Sequence, residues 1–158
     1  MATGESLAYR IREVYLNGSW IANTNLKKEL SQTSLQQALH EGPGHNSIAA
    51  LTFHLSYYLE GLLPVFQGLP LNIHDAHSFQ FHRPITSAEW NTQVNHLLQL
   101  AETFAILTES LPNEKLSAPF VKPEYGTWQR NIEAVIEHSY YHLGQITLLR
   151  KYTFQTPQ

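Results

Sequence analysis

Near its C-terminal end the sequence reads Glu137-His138-Ser-Tyr-Tyr-His142-Leu-Gly-Gln145-Ile146, two histidines four residues apart in a segment of helical periodicity. At about 100° per residue, four steps return a side chain to within about 40° of its starting direction, one turn further along. Two imidazoles so placed can grip one metal ion. They make half of a tetrahedral set, whereas a catalytic zinc takes three protein ligands and keeps a position open. The candidate third ligand is His54, mid-helix in the apolar run Ser47-Ile-Ala-Ala-Leu-Thr-Phe-His-Leu-Ser-Tyr-Tyr-Leu.

Three neutral imidazoles leave a divalent ion its full charge. Water in the open position then has its pKa lowered to about 7 and acts as hydroxide, while a thiol in the same position binds as thiolate. The chain has no cysteine, so it offers no disulfide, no thiolate ligand and no thiol nucleophile of its own. Sulfur chemistry requires a low-molecular-weight thiol as cosubstrate; hydrolysis requires only water. Singly, each histidine is more often a hydrogen-bonded core residue than a ligand, and an isolated HxxxH is a weak motif. The combination of two inward histidines on one helix with a third on another apolar stripe is what carries the metal reading. Imidazole ligands suit zinc, nickel, copper and iron alike.

Helical periodicity appears four times, and strand alternation does not. The first predicted helix covers about Ser6 to Asn17, with Leu7, Ile11, Val14 and Tyr15 on one side and Gly18 as a left-handed stop. Ser19 to His45 reads as a long connection with one or two helical turns. The second helix starts at Asn46 or Ser47 and runs towards Gly68, bent or ended by Pro64. A histidine-bearing link follows, and Thr86-Ser-Ala-Glu89 opens the third helix as a capping box. The fourth runs from about Thr127 to about Tyr152. His138 and His142 fall beside its apolar stripe, near Val135, Ile146 and Leu149, and so face inward or into a cleft. Four long helices with long connections predict an all-α four-helix bundle, an architecture that builds metal sites from facing helices.

The 158 residues, 42% of them apolar, fit a single domain with a substantial core. Charged residues are 15% and the net charge is -3, which gives nucleic acid no electrostatic footprint. The N-terminus lacks a basic segment followed by an apolar one, and no apolar run reaches the roughly 18 residues of a membrane span. A cytoplasmic protein with neither nucleic-acid nor membrane partners is expected.

The mid-helix histidine in Asn46-Ser-Ile-Ala-Ala-Leu-Thr-Phe-His54, the later Glu137-His138-Ser-Tyr-Tyr-His142-Leu-Gly-Gln145-Ile146, and Tyr125-Gly-Thr-Trp opening the last helix together resemble the DinB/YfiT-like superfamily of metal-binding four-helix bundles. The resemblance runs along nearly the whole chain. It implies one divalent metal, zinc or nickel, held by His54, His138 and His142, with Gln145 at the place of a recurrent neighbour. It also implies a metal-dependent enzyme of the thiol-dependent S-transferase type acting on a small-molecule substrate. The alternatives are a hydrolase using metal-bound hydroxide and a non-enzymatic, metal-stabilised interaction module. A homodimer is expected by analogy, with Leu97, Leu100 and Phe104 as a contact stripe.

Other residues receive structural readings. Glu137 lies about 100° from His138 on the helical wheel and faces solvent. Tyr57, Tyr58, Tyr140 and Tyr141 flank the ligands, where a phenol can bond a substrate or an imidazole; Tyr58 and Tyr141 are pocket candidates, and each singly also reads as packing. His74, His77 and His82, with Asp75, have no fixed ligand spacing and read as solvated loop residues. His40, His45 and His96 are treated alike. Phe79 and Phe81 are expected to cover one end of the bundle.

Overall fold

The computed structural model describes residues 2–152, and these are helical without a strand. Helix α1 (Gly4–Arg12) starts from a reciprocal cap, in which Thr3 Oγ1 accepts from Ser6 N and Ser6 Oγ accepts from Thr3 N. It continues into a π turn, Glu13–Asn17. Gly18 does not stop it in the left-handed region, as the sequence predicts; its backbone is extended, at φ -83° and ψ 160°. Glycine is needed there for space, because a Cβ would collide with Glu13.

The connection to residue 45 holds two short helices, α2 (Leu26–Ser31) and α3 (Leu35–Leu39), capped by Asn25 and Ser34. At five and six residues, neither is long enough to show a helical period in sequence. Helix α4 (Ile48–Phe66) is capped by Ser47 and ends just past Pro64, as expected. In α5 (Ser87–Glu109), Thr86 Oγ1 accepts from Glu89 N, but the Glu89 carboxylate accepts from Ile85 N at 2.7 Å, one residue before the position a capping box uses. Short α6 (Asn113–Ser117) precedes α7 (Trp128–Tyr152), whose first turn is capped by Thr127.

Helix α1 packs along α5, α5 along α4, and both α4 and the π turn meet α7. Leu7, Ile11, Leu55, Leu59, Leu97, Phe104, Ile136 and Ile146 are buried between them. Burial of Leu97 and Phe104 corrects the proposed dimer stripe: these side chains fill the core and are not free to contact a second copy. Trp90 is also buried and donates from Nε1 to Thr33 O at 2.8 Å, fixing the α2–α3 segment to α5. Among the described residues, no helix is long and apolar enough to cross a membrane.

The link from α4 to α5 folds back over α4. Ile73 seats on Gly61, where any side chain would displace it. Tyr57 Oη donates to His74 O at 3.0 Å and accepts from His74 N at 2.9 Å. This link therefore lies over the middle of α4, the level at which His54 emerges.

Candidate metal centre

Where α4 meets α7, His54, His138 and His142 point their Nε2 atoms at one another. The separations are 3.2 Å between His54 and His138 and 2.8 Å between His142 and His138. Each of the three offers a ligating atom, all within 4.8 Å of one another, and no fourth His, Asp or Glu joins this group among the described residues. Two nitrogens on one tetrahedral zinc, each about 2.05 Å from it, stand about 3.3 Å apart. The His54–His138 separation is close to that figure, and the His142–His138 separation is about half an ångström shorter.

Hydrogen bonding alone satisfies this cluster poorly. A neutral imidazole has one N–H and one lone pair, so His138 Nε2 would have to split a single proton between two neighbours or take two donors on one lone pair. A cation at the convergence point would engage all three lone pairs. The tautomer of His142 fits that role. Its Nδ1 lies 2.6 Å from Gln145 Oε1, while Gln145 Nε2 donates to Tyr141 Oη at 3.2 Å. With an oxygen facing Nδ1, the proton sits on Nδ1 and Nε2 presents its lone pair.

The electrostatics keep the rings neutral. Burial, then the charge of His142, lowers the His54 pKa from 6.5 to about 4. Burial, then its two histidine neighbours, does the same to His138, also to about 4, and burial lowers His142. The unfolded chain therefore binds protons that the folded, metal-free chain refuses, so stability falls as pH drops from about 6.5 through about 4. Urea denaturation of metal-stripped protein at about pH 7 and about pH 5 should show the lower midpoint at the lower pH; equal midpoints would contradict a buried neutral cluster.

The surroundings are aromatic. Phe79 stacks on the His54 ring, centroids 4.3 Å apart and planes 12° apart, and Phe81 stacks on Phe53. Phe79 thus covers a candidate ligand, a more specific position than the bundle end expected from sequence. His54 Nδ1 is buried outside hydrogen-bond geometry, although the Ser78 backbone lies close enough to favour its protonated form. Tyr58 sets its ring edge-on to both His54 and His138 and donates to Asp75 Oδ1 at 2.7 Å. Tyr141 is exposed and touches the centre only through Gln145 and an edge contact with His142.

The remaining candidates lie apart from the cluster. Tyr57 is tied to the His74 backbone, and Tyr140 Oη donates to Glu13 at 3.3 Å. Glu137 is exposed and paired with Arg130, as expected for a solvent-facing carboxylate. His74 and His77 face each other in the link without forming a ligating group, and His96 meets Glu60 at 2.5 Å.

Two cavities flank the centre. One of about 340 Å³ lies between α4 and α7 and is bounded at one end by His138. The other, about 490 Å³, is lined by Gln145, His45 and Asn46 among others. Sequence reading missed Tyr15 and Asn131, both on the wall of the smaller cavity. Tyr15 read as an ordinary core aromatic, and Asn131 carries no motif; its only signal was lying seven residues, two turns, before His138.

Replacing Gln145 by leucine should weaken metal affinity by about 10–100-fold while leaving the fold intact, because the tautomer of His142 loses its anchor. Competition against a chromophoric chelator would measure this, and an unchanged affinity would exclude the role. No family model, curated protein or solved structure matches the chain.

Proposed function

We propose that this chain is a DinB/YfiT-like four-helix bundle holding one divalent metal, zinc or nickel, on His54, His138 and His142, and that it is a metal-dependent enzyme of the thiol-dependent S-transferase type. The observation that carries the reading is the convergence of three Nε2 atoms beside a largely apolar cavity that ends at one of those ligands. When bound, the ion supplies Lewis acidity that stabilises a coordinated thiol in its anionic form.

The chain's own residues have separate tasks. Gln145 holds the His142 lone pair inward, Phe79 excludes water from one face of His54, and the cavity walls orient the acceptor. With no cysteine in the chain, the sulfur arrives on a small thiol. Its sulfur forms a bond to the electrophilic carbon of the acceptor, the leaving group departs with its electron pair, and the thiol proton passes to solvent.

The absence of a fourth His, Asp or Glu in the group, among the described residues, favours an open coordination position over a closed structural one. Elemental analysis of protein purified without added metal is the first test, with about one equivalent expected per chain. Metal-loaded protein is then incubated with small thiols and a chlorinated aromatic acceptor. A rate no higher than free metal gives would overturn the transferase reading, and turnover of esters without any thiol would replace it with hydrolysis. Unfolding on metal removal would instead identify a structural module.

A further inference from the structure

The 340 Å³ cavity is a groove walled by two matched stripes. On α4 the lining residues are Leu55, Tyr58, Leu59 and Leu62. On α7 they are Asn131, Ala134, Val135 and His138. Both follow the i, i+3, i+4, i+7 spacing by which one helix face presents four side chains over two turns. Tyr15 and Ile73 close the groove. Its volume falls at the small end of the roughly 300–1,000 Å³ usual for ligand sites.

We infer that this groove binds a neutral, predominantly apolar small molecule carrying one hydrogen-bond donor, with the donor at Asn131 and the opposite end at His138. As a description of the acceptor substrate, the inference rests on the function proposed above; as a binding site it does not. No Lys, Arg, Asp or Glu lines the groove, so a charged ligand would give up hydration without a partner. The polarity of the far end is set by Asn131. Its Nδ2 donates to Tyr125 O at 2.7 Å and to Thr127 O at 2.8 Å, which leaves Oδ1 as the amide's acceptor. An acceptor there selects a ligand that donates. Seven residues of α-helix span about 10.5 Å, so a one-ring molecule anchored at Asn131 aims its far end at His138.

The probes are para-cresol and its methyl ether, para-methylanisole, which keeps the shape and removes the donor. Binding is followed by calorimetry and by amide NMR shifts on the protein as purified and again after EDTA treatment. Ala134 is exposed on α7, so Ala134→Phe fills the groove mouth without disturbing the core; Leu62→Phe does so from the facing wall. We expect para-cresol to shift amides around Leu59, Ala134 and Val135. The ether should bind about tenfold more weakly, and each filling variant should lose about tenfold in affinity with metal content unchanged.

Shifts located elsewhere, equal binding of the ether, or affinity unaffected by both filling variants would overturn the assignment. Para-cresol binding that persists in protein found to contain no metal would support the groove while refuting the metal enzyme, so the two failures are separable.

Discussion

Replacing His138 by alanine should abolish stoichiometric metal binding while leaving the helical fold in place. His138 Nε2 makes both short contacts of the cluster, 3.2 Å to His54 and 2.8 Å to His142. Without it, the other two rings form no pair that the structure brings into contact through nitrogen. Loss of an orienting neighbour costs about 10–100-fold in affinity, and loss of a direct ligand should exceed that. The fold should survive because His138 is only half-buried and the packing between the helices is carried by the apolar core. Elemental analysis and chelator competition read the metal, and circular dichroism reads the fold. A variant that keeps one equivalent of metal at wild-type affinity would refute the triad; His54→Ala and His142→Ala should repeat the loss.

The largest expected effect on stability lies elsewhere, at Trp90. Its side chain is 2% exposed, in the first turn of α5, and its indole N–H reaches Thr33 O across the chain. Trp90→Ala removes a large buried volume, at about 3–5 kcal/mol, and strands a carbonyl that had a partner, at about 1–3 kcal/mol. Trp90→Phe should recover much of the packing while still losing the hydrogen bond, so its cost falls between wild type and alanine. Urea denaturation with a common m-value measures both. A cost below about 1 kcal/mol for alanine would mean that the α2–α3 segment is not held by this residue. Any metal affinity of the histidine cluster should change little in either variant that folds, because Trp90 is in α5, whereas the cluster is on α4 and α7.

The sequence made the long helices and the histidine cluster legible for the same reason: both are governed by the 3.6-residue period. Ser47 and Thr86 cap where they were expected, and His54, His138 and His142 face one another as their places on the apolar stripes require. What escaped was everything decided by contacts between distant segments. Phe79 lies on His54 because Ile73 and His74 fasten the α4–α5 link to Gly61 and Tyr57, and no local pattern encodes that route. Leu97 and Phe104 could be placed on a face of α5 but not assigned to core or surface without knowing that α1 and α4 both cover it. Gly18 was read as a backbone signal, whereas the Glu13 side chain makes it a matter of clearance.

The π turn at Glu13–Asn17 bears on how this groove can change. A π turn holds one more residue than the α-helical turn it replaces, and here that surplus falls in the stretch containing Tyr15, whose Oη accepts from Ser139 Oγ at 2.7 Å. Deleting a residue of the stretch that precedes Tyr15 would rewind it as α-helix and swing the tyrosine by about 100°, away from Ser139 and from the groove it lines. The groove wall and the histidine cluster thus rest on different segments: Tyr15 is placed by the first helix and its π turn, while His54, His138 and His142 are placed by α4 and α7.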